Sequence, residues 1–152
     1  MITSFQSIVA RRTDPLDSAV ISVTQVHAGH TTNVIPEEAT LSGTTRALKA
    51  ETQDLIEREM RMIAEGIGQA FGANIEFTYD RRYLPTLNTA QETEFAEQAA
   101  AQIVGDEQIL RDQPPAMGAE DFSWMLAERP GCYILIGNGV EGGPGGCHVH
   151  NP

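Results

Sequence analysis

Apolar residues at Ile2, Phe5, Ile8 and Val9 recur at the spacing of one helical face, and Asp14-Pro15 marks where that helix must stop. The stretch "SAVISVTQVHA" (18–28) then changes to period two. Val20, Ser22, Thr24 and Val26 alternate with Ala19, Ile21, Val23 and Gln25, and β-branched residues dominate both sets, which predicts a strand. "GHTTN" supplies a turn, and "VIPEEATLSGTTRAL" returns as a second extended segment with Thr40, Ser42, Thr44 and Arg46 on one face, completing a hairpin.

From about Ala50 to Phe71 the period lengthens again. Leu55, Ile56, Met60, Ile63, Ile67 and Phe71 fall on one side of a helix, with Glu51, Asp54, Glu57, Arg58, Arg61 and Glu65 over the rest and Gly72 placed as a C-terminal cap. "NIEFTYDRRY" alternates Ile75, Phe77 and Tyr79 inward against Glu76, Thr78 and Asp80, and predicts a third strand. Residues 1–83 thus run helix, strand, strand, helix, strand. One further strand ahead of the first helix would complete a βαββαβ, ferredoxin-like unit; without it a sheet edge is left open to another chain.

A second region begins at residue 84. Asn88 or Thr89 caps a helix carrying Phe95, Ala99 and Ile103; "AEDFSWMLAE" predicts a short helix, and "CYILIGNG" a buried strand ending in a Gly-rich turn. No internal repeat or low-complexity segment interrupts the 152 residues. The division expected is 1–83 and 84–152.

Composition narrows the function classes. A formal net charge of -11 repels phosphate backbones, and the ten basic residues are scattered apart from Arg11-Arg12 and Arg81-Arg82, which argues against a nucleic-acid partner. With 41% hydrophobic and 20% charged residues, and no apolar run near the roughly 20 residues of a membrane span, no membrane partner is expected. Cys132 and Cys147 are too few for a disulfide scaffold and do not form a C-x-x-C pair. That cysteine usage fits a reducing compartment, so the cytoplasm is the expected one, and the amphipathic N-terminus does not read as a secretory signal.

Four places hold candidate chemistry, each with a plainer reading beside it. His148 and His150 in "GCHVHNP" lie two apart, so an extended chain points both to one side, as metal ligands or as solvated terminal histidines. "GAEDF" (118–122) sets Glu120 and Asp121 at a helix start, where carboxylates also serve as caps. "HAGHTTNVIP" gathers His27, His30 and Asn33 at a turn, where Asn and Gly are expected for conformation alone. Arg46 stands on a strand otherwise lined with hydroxyls: its fork can grip a carboxylate at two points, or join a surface ion pair.

In this order and at these separations, "NVIPEEATLSGTTRAL", "MGAEDFSWML", "PGCYILIGNG" and "GCHVHNP" resemble the zinc-type amidohydrolases of the hippurate hydrolase and N-acyl-amino-acid amidohydrolase family. The resemblance covers essentially the whole chain, while the chain covers only the C-terminal part of such an enzyme. The fold class it implies is α/β: an incomplete ferredoxin-like αββαβ lid and dimerisation domain (1–83), then the C-terminal part of a zinc-peptidase-like α/β catalytic domain (84–152).

The activity implied is metal-assisted hydrolysis of the amide bond in N-acyl amino acids such as hippurate. In that mechanism the metals polarise the scissile carbonyl and acidify a bound water whose proton a glutamate accepts. His150, in "HNP", matches the family's last metal ligand; His148 falls where the family usually has none. The other ligands and the general base lie in family segments ahead of this one, so no catalytic residue is assigned here. Asn33 and Arg46 match the lid surface that reaches substrate, commonly in the partner subunit, and Glu120 lies near the active-site cleft in relatives. A fragment of this kind, inactive alone, would use zinc or manganese in the full-length enzyme without holding the metal stoichiometrically itself, and would pair through its lid as a homodimer. The competing reading is a catalytically dead lid module that acts in oligomerisation or binding.

Overall fold

The computed structural model describes residues 1–137 and Gly139. The elements are α1 (Ile2–Arg11), β1 (Ala19–Ala28), β2 (Ala39–Ala47), α2 (Ala50–Phe71), α3 (Ala90–Val104), a 3-10 turn (Asp106–Gln108) and α4 (Phe122–Glu128). The chain divides into two compact units. The first contains residues 1–85 together with 114–121; the second contains 86–113 and the chain from 122 onward.

In the first unit, α1 and α2 pack beside each other and on one face of the β1–β2 hairpin. Phe5, Ile8, Ile21 and Ile56 form its buried core, with Val9, Val23, Leu55, Met60, Ile63 and Tyr79 packed around them. Burying each such side chain is worth about 1.5–3 kcal/mol, so one helical stripe from each helix and one strand face supply the main apolar contacts of the layer. The α2 helix ends as its sequence predicts: Gly72 takes a left-handed conformation (φ 65°) and its N–H meets the Gly68 carbonyl. Phe71, expected on the inner face, is instead 82% exposed, because the buried line of α2 runs Thr52, Ile56, Glu59, Ala64, Gly68. Glu59 is the unexpected member of that line, 8% exposed with Arg12 and Arg58 at 3.6 and 3.4 Å.

The hairpin is antiparallel, with Val20 opposite Arg46 and Ser22 opposite Thr44, so these four share a face. Thr24 is an extra residue, since the register shifts between Val23 and Gln25. A one-residue bulge exchanges the faces beyond it. Gln25 and His27 therefore pair with Ser42 and Thr40 on the Arg46 face, while Val26 pairs with Leu41 on the other, reversing the alternation expected for that half of β1. Gly43 faces the bulge so closely that a Cβ there would sit 2.1 Å from the Ser22 carbonyl oxygen.

The expected third strand requires correction. Residues 74–83 keep the alternation, with Ile75, Phe77 and Tyr79 half-buried and their neighbours exposed, but they join no ladder, and the sheet among the described residues has two strands. In a split βαβ plan this segment pairs with the strand ahead of the first helix, and the described residues contain none there. Side chains hold it instead. The Tyr79 hydroxyl lies 2.5 Å from Thr45 Oγ1, the Arg61 guanidinium sits 5.0 Å over the Phe77 ring, and Arg81 reaches Asp54 and Glu57 of α2 at 2.6 and 2.7 Å. The mixed α/β class stands.

In the second unit, Thr89 is the N-cap of α3, and its hydroxyl bonds Glu92 and the Gly131 carbonyl. Arg111 ties α3 to the 3-10 turn through Glu97 (3.1 Å) and Asp106 (2.7 Å), carboxylates that raise the guanidinium pKa. The "CYILIGNG" run forms no strand over its described residues. Ile134, Leu135 and Ile136 are 52, 81 and 85% exposed, because no neighbouring strand among the described residues covers them.

Candidate functional site

Arg46 lies one residue from the end of β2, on the hairpin face that carries Thr44, Ser42 and Thr40, as the strand's period predicts. That face is opposite the one packed on the helices, since Ile21 and its neighbours Ala19 and Val23 occupy the core side. The guanidinium is exposed, and its Nη1–H donates to the carbonyl oxygen of Met117. No carboxylate among the described residues forms an ion pair with Arg46, which sets it apart from Arg12, Arg58, Arg61, Arg81 and Arg82. The plain surface ion pair is thus not what Arg46 makes here.

Met117 belongs to Pro114–Asp121, the segment that joins the first unit although the chain on both sides of it belongs to the second. Pro114 and Pro115 fix φ and remove two backbone donors, and the segment forms neither helix nor ladder. Glu120 is half-buried in this segment and Asp121 is exposed. Helix α4 begins only at Phe122, and no acidic residue stands in its first turn.

Asn33 lies in the loop 29–38, where its Oδ1 accepts from the Thr31 hydroxyl at 2.9 Å. Seven residues of β2 separate that end of the hairpin from Arg46, roughly 20 Å at the rise of a strand. Within one chain the fold therefore brings Arg46 to the Glu120 segment and leaves Asn33 at the far end. His30 is exposed in the same loop as Asn33.

Two features escaped the pattern of the sequence. The bulge had a signal, a glycine inside an otherwise regular strand pattern at Gly43. The Met117 contact had none, since 71 residues separate it from Arg46. Elsewhere an open depression of about 520 Å³ lies along α2, lined by Asp54, Glu57, Arg58, Arg61, Glu65 and Arg81. Its charges are largely spent on one another.

His148 and His150 lie outside the described residues. Among the described residues no group of three or more His, Cys, Asp or Glu side chains could hold a metal ion. No helix among them is long and apolar enough to cross a membrane.

Residues 6–152 match the family model described as peptidase family M20/M25/M40. The chain belongs to this family. Enzymes of the family are generally metal-dependent. Its relatives include an N-acetyldiaminopimelate deacetylase of Enterococcus faecalis, 41% identical over 139 residues that make up 90% of this chain and 36% of the relative. An N-acetylcysteine deacetylase of Bacillus subtilis is 37% identical, covering 93% of this chain and 37% of its own. A hippurate hydrolase of Campylobacter jejuni is 33% identical, covering 91% and 36%. The chain therefore spans little more than a third of the length of these curated relatives. A solved aminohydrolase structure from methicillin-resistant Staphylococcus aureus superposes with a TM-score of 0.70 at 25% identity, over 86% of this chain and 33% of that one.

Proposed function

We propose that this chain is the lid and the C-terminal part of the catalytic domain of an amidohydrolase that cleaves the amide bond of N-acyl amino acids. Residues 1–83 act as the lid and dimerisation domain, and 84–152 belong to the catalytic domain. The relatives' names support the substrate class: N-acetyldiaminopimelate, N-acetylcysteine and hippurate each carry an acylated amine beside a free carboxylate. The observation that carries the reading is Arg46, a guanidinium without a carboxylate partner among the described residues, on an exposed face of hydroxyl side chains.

Each of this chain's residues then has a task. Arg46 binds the substrate carboxylate through its remaining N–H donors, whose planar fork fixes orientation as well as charge. Glu120 sits on the segment that Arg46 touches and lines the substrate site. Asn33, at the distant end of the hairpin, reaches the site of a partner copy in a homodimer formed through the lid. The full-length enzyme uses zinc or manganese, with His150 as one ligand. The described residues do not themselves fit a metal, so no step through it is assigned to them. The enzyme works in the cytoplasm.

The test is kinetic. In the full-length enzyme Arg46→Ala should lower kcat/KM for an N-acyl amino acid by roughly 10- to 150-fold, the worth of a charge-assisted hydrogen bond. The loss should be much smaller for the analogue with an amidated carboxylate. Equal, small losses on both would remove Arg46 from substrate binding.

A further inference from the structure

We propose that Pro114–Asp121 is a strap held on the first unit by Arg46, so that one side chain both positions the strap and recognises a carboxylate. The inference rests on the reading of Arg46 as the carboxylate-binding residue and adds a second task to it. Three observations carry it. The segment packs with residues 1–85 although the chain leaves the second unit to reach it and returns at Phe122. Among the described residues, a hydrogen bond from Arg46 Nη1 to the Met117 carbonyl links the strap to β2. Finally, no carboxylate among the described residues pairs with Arg46.

The geometry of guanidinium explains how both tasks fit one residue. Arg offers five N–H donors in a rigid plane. The carbonyl of Met117 takes a donor on Nη1. The Nε and Nη2 edge still presents two parallel donors, the arrangement a carboxylate accepts at two points. Arg46 is thereby a positioning residue for the strap, and Glu120 owes its place in the first unit to it. The two tasks also differ in what they demand. A carbonyl needs one donor, which an ammonium can supply; a two-point carboxylate grip needs the planar fork.

That difference makes the proposal testable. A glutamate-specific protease should cut this chain after Glu120, in the strap, and after Glu128, at the end of α4, and mass spectrometry gives the ratio of the two rates. With Arg46→Ala the Glu120 cut should accelerate about fivefold or more relative to the Glu128 cut, the scale expected for losing one hydrogen bond. Arg46→Lys should stay within about twofold of the wild type, because one donor is retained. The same Lys variant of the full-length enzyme should nevertheless lose kcat/KM toward N-acyl amino acids. An unchanged ratio in Arg46→Ala, or both cuts accelerating together, would overturn the strap. If kcat/KM falls while the ratio stays fixed, the carboxylate reading stands and the strap fails; if the ratio rises while kcat/KM is unchanged, the strap stands and the carboxylate reading fails.

Discussion

Asn88 and Tyr133 pair as two backbone segments would: Tyr133 N–H donates to Asn88 Oδ1 at 2.8 Å, and Asn88 Nδ2 donates to the Tyr133 carbonyl at 2.9 Å. Next to it, Thr89 exchanges bonds with Gly131, N–H to carbonyl at 3.0 Å and Gly131 N–H to the Thr89 hydroxyl at 3.0 Å. A side-chain amide thus extends a short backbone ladder just before α3 begins. Asn88→Ala removes both of its bonds to Tyr133 and should cost about 1–3 kcal/mol, read from urea unfolding. Asn88→Asp keeps the acceptor, loses the donor and should fall between the two.

Two glycines should respond with opposite signs. Gly43→Ala places a Cβ 2.1 Å from the Ser22 carbonyl oxygen, against a hydrogen-bonded strand that cannot move aside, and should destabilise by on the order of 1–3 kcal/mol. Gly66, inside α2 with nothing within 4 Å of its ideal Cβ, should gain about 0.5–1 kcal/mol as alanine. Thermal denaturation of the two variants beside the wild type checks both, and a stable Gly43→Ala would remove the bulge as a constraint.

The Asp17 carboxylate receives the Lys49 ammonium on one oxygen and the Thr52 hydroxyl on the other at 3.2 Å, tying the loop after α1 to the start of α2. The Lys49 hydrogen bond lowers the Asp17 pKa, and the same bond raises that of Lys49. Because the folded-state pKa of Asp17 is depressed, its contribution is present above the unfolded carboxylate value of about 3.9 and is lost as pH falls through the lower folded value. The raised Lys49 pKa acts at the other end: its contribution is present below about 10.4 and is lost as pH rises beyond. Asp17→Asn should therefore unfold at neutral pH slightly more readily and show a shallower loss of stability below pH 4. An acid limb identical to that of the wild type would show that the pair carries no pH-dependent stability.

How the extended segment is held decides between two effects. Tyr79→Phe deletes a half-buried hydroxyl contact with Thr45 and should cost about 0.5–1.5 kcal/mol. Arg81→Ala deletes ion pairs of an exposed guanidinium with Asp54 and with the half-buried Glu57 and should cost less, about 1 kcal/mol or below, and less again in high salt. The reverse order, measured by chemical denaturation, would make charge rather than the tyrosine the anchor.

For the proposed metal role of His150, a tight site needs three or four protein ligands. The chain by itself should retain well under one equivalent of zinc after exhaustive dialysis, and His150→Ala in the full-length enzyme should lower its metal content. A full equivalent held by the chain alone would place a complete site within it.

Local periodicity carried much of this fold. The 3.6-residue spacing placed α1 and α2, Gly72 closed α2 where a left-handed residue was needed, and the regular alternation of β2 put Arg46 on the hydroxyl face with Thr40, Ser42 and Thr44. Each of these depends on residues within a turn or two of one another, so the chain specifies them without reference to distant partners. Pairing decided the rest. His27 reached the Arg46 face only because Thr24 bulges out of register, and residues 74–83 kept a strand's alternation without a strand's ladder. The apolar Ile134–Ile136 run reads as buried, yet lies exposed among the described residues. The hydrogen bond from Arg46 to Met117 joins residues 71 apart. Alternation says which side chains share a face, but a ladder, a covering layer or a hydrogen bond across the fold also needs a second segment brought alongside, and only the tertiary structure determines which segment arrives.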